Sequence, residues 1–126
     1  MAARLAAIAA ATERVPTMAY ETVKVDIDAR GVATLTFNRP DKHNAMNTQF
    51  CDDMHAALAD LAADNIVRVI VTTGAGESFS AGGDLAWMRA QADSDRAGRM
   101  AEARHFALML RRLDQMPKRV VARVNG

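Results

Sequence analysis

The sequence predicts an α/β domain. Two runs rich in β-branched residues, 22–28 and 32–38, stand close together around a Gly-containing turn. Phe50, Met54, Leu58 and Leu61 then recur at helical spacing. A further β-type run, 66–72, follows the helix. A strand, a helix and a strand in succession imply a parallel pair joined by a right-handed crossover.

The first strand alternates. Val23, Val25 and Ile27 fall on one face, with Thr22, Lys24, Asp26 and Asp28 on the other, as in a half-buried strand. Ala29-Arg30-Gly31 turns the chain, and residues 32–38 return antiparallel to it. Arg39-Pro40 ends that strand, because proline cannot donate to a ladder and restricts the residue before it. Residues 41–46 (DKHNAM) form a polar loop. Asn47 or Thr48 caps the next helix, with Asp52 and Asp53 in its early turns. Ala63-Asp64-Asn65 breaks the helix, and the strand at 66–72 carries Arg68 as its one charge. After a glycine-rich loop, a helix begins near Asp84. A break at 93–95 has Ser94 or Asp95 as cap. A longer helix over 96–115 buries Phe106, Met109, Leu110, Leu113 and Met116 before Pro117 stops it, and residues 119–124 form a last strand.

Composition narrows the function. The 126 residues hold 16 basic and 15 acidic side chains, so the net charge of +1 gives no basic face for nucleic acid. The single cysteine, Cys51, excludes an internal disulfide and a cysteine-cluster metal site, and no metal site is expected. At a helix start its thiol is open to acidification, but an inert small hydrophobe is the plainer role. His55 and His105 sit on separate helices without ligand spacing. No apolar run approaches the ~18 residues of a membrane span. Residues 1–19 are Ala-rich with Arg4 and Arg14 and one acid, Glu13. They read as a flexible extension, either an upstream start or a mitochondrial transit peptide. The domain proper is residues 20–126.

The stretch 74–85, GAGESFSAGGDL, carries four glycines between strand and helix. A dinucleotide fingerprint fails, because Phe79 stands where the third small residue belongs and no suitably placed acid follows. A phosphate loop fails for want of Gly-Lys-Ser/Thr. A tight turn opening into a helix also suits an oxyanion pocket of backbone amides, at the positive end of the helix dipole. A purely structural turn is the other reading.

Three segments resemble a known family. FNRPDKHNAMN (37–47), IVRVIVTTGAGESFSAGGDL (66–85) and ARVNG (122–126) are similar, in order and spacing, to segments of the enoyl-CoA hydratase/isomerase (crotonase) superfamily. The resemblance implies a crotonase-like spiral of β-β-α units, of which this chain matches the N-terminal half. It implies an acyl-CoA thioester as substrate, with coenzyme A part of that substrate and no separate cofactor. The Gly83 N–H becomes an oxyanion donor, with Gly where the family more often has Ala. Lys42, His43, Ala45, Ala81, Asp84 and Leu85 fall at coenzyme A-contacting positions. Lys42 either meets a CoA phosphate or is a solvated loop lysine, His43 is a contact rather than a base, and Asp84 caps a helix rather than acting as an acid. Trp87-Met88 after Asp84-Leu85 resembles the D-L-x-W-M of methylglutaconyl-CoA and related branched-chain hydratases; otherwise Trp87 packs against the acyl tunnel or the next helix. Family hydratases take their second oxyanion donor and catalytic glutamates from beyond the ARVNG-type strand, so the chain is expected to end before them and to be inactive alone. Glu77 and Glu102 do not match those positions. The expected parent is an enoyl-CoA hydratase, with an isomerase or another family member as the alternative. It forms a homotrimer or dimer of trimers in the cytoplasm, or in the mitochondrial matrix if residues 1–19 are a transit peptide. From another class stands a non-catalytic CoA-binding or assembly fragment.

Overall fold

A computed structural model describes residues 20–126; the expectations for residues 1–19 lie outside the described residues. The element order is β1 (Val23–Ile27), β2 (Val32–Phe37), a short 3-10 turn (Pro40–Lys42), α1 (Thr48–Ala63), β3 (Val69–Gly74), α2 (Leu85–Asp93), α3 (Arg96–Asp114) and β4 (Arg119–Ala122). The sheet runs in the order β1-β2-β3-β4. β1 and β2 are antiparallel, pairing Val23 with Phe37 and Ile27 with Ala33. β2 with β3, and β3 with β4, are parallel.

The alternation in β1 and β2 sets the core. Val23, Val25 and Ile27 are buried, as are Ala33, Leu35 and Phe37 on the partner strand. α1 lies over this face with Phe50, Met54, Ala57, Leu58 and Leu61 buried. The Phe50 ring meets Phe37 edge-on at 5.1 Å. Burying a side chain of this size contributes ~1.5–3 kcal/mol. Asp53 is buried in the same layer but satisfied. One of its oxygens accepts from the Thr22 N–H (2.8 Å) and hydroxyl (2.6 Å), and the other from Gln49 Nε2 (2.9 Å). This ties the start of β1 to α1.

Two boundaries and one burial assignment differ from the sequence reading. β3 begins at Val69 rather than 66. The Asp64 carboxylate accepts from Ile66 N–H and the Asp64 carbonyl from Val67 N–H, so residues 64–67 turn before the ladder starts. β4 ends at Ala122, and one more backbone bond, from Arg123 N–H to the Thr72 carbonyl, carries the chain along β3. On α3 only Met109 is buried, with Phe106, Leu113 and Met116 half-covered against the core. Leu110 does not join them; it is 57% exposed, because it stands one position round the helix from the 106-109-113-116 stripe.

Candidate active-site cleft

Two loops build the site. The first, 39–46, leaves β2 and passes through left-handed backbone at His43 (φ 49°) and Asn44 (φ 55°). The second, 75–84, leaves β3. Asn44 is fully buried and joins them. Its Oδ1 accepts from Arg39 N–H at 2.8 Å, and its Nδ2 donates to the carbonyls of Ala75 (3.0 Å) and Ser78 (2.7 Å). Asn125, past β4, does the same from the other side. Its Nδ2 donates to the Gly74 (3.0 Å) and Gly76 (3.2 Å) carbonyls, and its Oδ1 accepts from Gly74 N–H at 3.1 Å. The loop crosses itself tightly: a Cβ on Gly74 would lie 2.5 Å from the Ser78 carbonyl oxygen and 2.7 Å from Phe79 Cα.

The loop then runs briefly parallel to residue 46. Met46 N–H donates to the Gly82 carbonyl at 2.7 Å, and Asp84 N–H to the Met46 carbonyl at 2.9 Å. Successive amides of extended backbone point to opposite sides. Gly83, between the two bonded residues, therefore turns its N–H away from Met46. It does so one residue ahead of the Asp84 cap of α2, where the helix dipole favours negative charge.

Asp84 is the N-cap of α2. Its Oδ1 accepts from Trp87 N–H at 2.9 Å, and its Oδ2 lies 3.2 Å from Arg39 Nη2. The Trp87 amide, and then Arg39, hold the carboxyl below the usual carboxylate range. That suits a cap and not a proton donor, as expected from sequence. Arg39 also donates to the Ala45 carbonyl, so one guanidinium braces both loops.

All seven residues named from the sequence, Lys42, His43, Ala45, Ala81, Gly83, Asp84 and Leu85, line one open cleft of about 710 Å³. Arg39, Asn47, Ala86 and Arg89 complete the wall. His43 Nδ1 lies 3.1 Å from Ser78 Oγ. Trp87 faces α3: its Nε1 donates to Glu102 at 3.0 Å and its ring lies 4.9 Å from Phe106. Glu102 also accepts from Thr48 Oγ1, and these two donors hold its carboxyl below its usual range. It links α1, α2 and α3. Cys51 is buried, and burial with Asp52 and Glu102 nearby pushes its thiol up to about 12, so the helix start does not activate it.

The residues that sequence reasoning did not single out are Arg39, Asn44, Asn125 and Arg89. Asn44 and Asn125 stood inside the recognised segments. An asparagine in a loop is itself a signal for a side chain that bonds main chain, and at Asn44 for left-handed backbone as well.

The sequence profile of the family described as Enoyl-CoA hydratase/isomerase matches residues 28–126. The chain belongs to this family. It is 38% identical over 106 residues to the 1,2-epoxyphenylacetyl-CoA isomerase of Escherichia coli K12, covering 77% of this chain and 37% of the relative. It is 37% identical over 100 residues to the small ribosomal subunit protein mS47 of Schizosaccharomyces pombe, covering 76% and 23%. The crystal structure of an enoyl-CoA hydratase from Shewanella pealeana superposes with a TM-score of 0.84 at 30% identity, covering 91% of this chain and 43% of that one. The family's crotonase fold is thus the fold of this chain, which spans less than half the length of these relatives. Among the described residues no helix is long and apolar enough to cross a membrane.

Proposed function

We propose that the chain supplies the coenzyme A-binding wall and one oxyanion donor of an enzyme that adds water across the double bond of a 2-enoyl-CoA thioester. The observation that carries this is the Gly83 amide, turned out of its backbone pairing at the start of α2, on a cleft lined by every residue the family resemblance assigns to coenzyme A. The thioester oxygen accepts from Gly83 N–H. As water adds at the β carbon, charge moves onto that oxygen and an enolate forms, so the bond is strongest in the transition state. Arg39, Lys42 and Arg89 give the wall cationic groups for a phosphate-bearing ligand, with Asp84 offsetting Arg39. By resemblance, the second donor and the acid/base glutamates follow the segment that matches residues 122–126. The full-length protein assembles as a homotrimer or dimer of trimers. The D-L-x-W-M pattern makes a branched-chain enoyl thioester of methylglutaconyl type the first substrate to try.

An isomerase that moves the double bond through the same enolate is the second reading, favoured by the name of a relative 34% identical over 115 residues, the trans-2-decenoyl-[acyl-carrier-protein] isomerase of Streptococcus mutans. A non-catalytic assembly role is the third, favoured by the ribosomal relative.

Two measurements test the proposal. Calorimetric titration of coenzyme A into the chain should show binding that weakens on Lys42→Ala. With the chain carried in a polypeptide of its relatives' length, Gly83→Pro should lower turnover of a 2-enoyl-CoA by about 10²–10³, the cost of one oxyanion donor. Full activity in Gly83→Pro would sink the assigned donor. Double-bond migration without hydration would move the assignment to the isomerase. No binding and no turnover would leave the assembly role.

A further inference from the structure

Away from the cleft, α1 and α3 bring together three side chains that the sequence holds far apart. Cys51 and His55 stand four residues apart on α1 and so share a face, and His105 crosses to them from α3. One ligand atom from each lies within 4.8 Å of the other two. The imidazoles of His55 and His105 stack with centroids 4.7 Å apart. Cys51 Sγ (3.4 Å) and His55 Nε2 (3.1 Å) both converge on the His105 carbonyl oxygen.

A second observation points to a ligand. His105 Nε2 lies 2.6 Å from Asp52 Oδ1. A carboxylate on one imidazole nitrogen fixes the proton there and leaves the other nitrogen as a basic donor, an arrangement that orients metal-bound histidines. Cys51 is buried while His55 and His105 are half-exposed, so one side of the cluster is open to water.

We propose that Cys51, His55 and His105 bind a divalent cation of borderline softness, zinc first, through the thiolate, one nitrogen of each imidazole and a water. Thiolate with imidazole selects such an ion over magnesium or calcium, and two ligands spaced i, i+4 on a helix with a third from elsewhere is a common zinc arrangement. Bonds of ~2.3 Å to sulfur and ~2.0 Å to nitrogen require the ligand atoms, now within 4.8 Å of one another, to draw in to about 3.5 Å on binding, with His55 free to move while Asp52 holds His105. On binding, the thiol S–H bond breaks heterolytically. The electron pair stays on sulfur as the donor to the metal, and the proton passes to solvent. The bound ion clamps α3 to α1, and it stands apart from the Gly83 cleft.

The test is a titration of the tag-free, chelator-treated chain with Co²⁺, which reports the same site by its colour. The expected result is a thiolate-to-cobalt charge-transfer band with intense four-coordinate ligand-field bands, saturating at one equivalent and bleached by Zn²⁺. Zinc binding in weak buffer should release one proton per ion from the thiol. Cys51→Ser should abolish the charge-transfer band. Its burial puts folding at risk, so the deciding variants are His55→Gln and Asp52→Asn, each checked by circular dichroism. His55→Gln should weaken binding at least tenfold, and Asp52→Asn, which removes no ligand, by about 10–100-fold. A weak six-coordinate spectrum in the wild type, or affinity unchanged in folded His55→Gln, would overturn the proposal and leave a hydrogen-bonded cluster.

Discussion

Asn44 shows how much one side chain carries here. It sits at φ 55°, where a β-carbon is tolerated best in Asn and Asp, and it satisfies one N–H and two carbonyls of two different loops. Asn44→Ala leaves all three without their partner and keeps the left-handed strain. At roughly 1–3 kcal/mol for a buried group left unpaired, part of it recovered by water, a loss of about 3–5 kcal/mol is expected in urea unfolding. Asn44→Gly relieves the backbone and should lose about 1 kcal/mol less. Equal midpoints for the two variants would remove the backbone term from the argument. Gly83 behaves oppositely. The nearest atoms to a Cβ there are Met88 Sδ, Cγ and Cε at 3.6, 3.7 and 3.8 Å, ordinary contact, so Gly83→Ala should leave the urea midpoint unchanged and keep the amide in place. The place of Gly83 on the cleft was legible from the motif. The roles of Asn44 and Asn125 were not, because side-chain bonds to main chain 31 and 51 residues away leave no periodic trace in sequence.

Among the elements, α2 depends most on its cap. It is nine residues long with no buried side chain, so little holds it beyond Asp84, the Trp87–Glu102 bond and the Trp87–Phe106 contact. Asp84→Ala should cost about 1–2 kcal/mol for the cap and release Arg39. Asp84→Asn keeps an oxygen for Trp87 N–H and should cost less. The pH dependence follows from the direction of the shifts. Asp84 and Glu102 are both held below their ordinary ranges, so the folded chain binds fewer protons at these groups than the unfolded chain. Their stabilisation is fully present above the ordinary carboxylate range of about 4 and fades as pH falls through the lower folded values. The stability gap between wild type and Asp84→Asn, measured by urea at pH 7 and pH 3, should therefore narrow at the lower pH. A gap that widens would reverse the assigned sign. The caps themselves, Asn47, Asp84 and Asp95, were visible as residue types at the right distance before a helix. The start of β3 was not. Ile66 and Val67 look like strand, but the Asp64 side chain claims the first of their amides for a turn, and local hydrogen bonding wins over propensity.

At the scale of the whole molecule, the layers were legible because their burial patterns are strict: period two in β1 and β2, and a single stripe on α1. What the sequence hid is how α3 sits, since only Met109 of its apolar residues is buried and its contact with α1 is partly polar, through Glu102 and His105. Cys51 lies under that contact and so can report on it. The side chain is fully buried and burial pushes its thiol up to about 12, so at pH 8 the folded chain presents far less thiolate than a free thiol of pKa ~8.5. Reaction with a disulfide reagent must then await opening. If α1 is released only by global unfolding, the logarithm of the labelling rate should rise with urea along the same slope as the unfolding equilibrium. A shallower slope would mean that α3 lifts off while the sheet and α1 stay folded. A rate near that of a free thiol and indifferent to urea would contradict the burial of Cys51 altogether. The measurement also separates α3's attachment from the sheet's own stability: Glu102→Gln weakens the acceptor that joins the three helices and should accelerate labelling at low urea, where local opening dominates, while leaving the rate at high urea nearly unchanged.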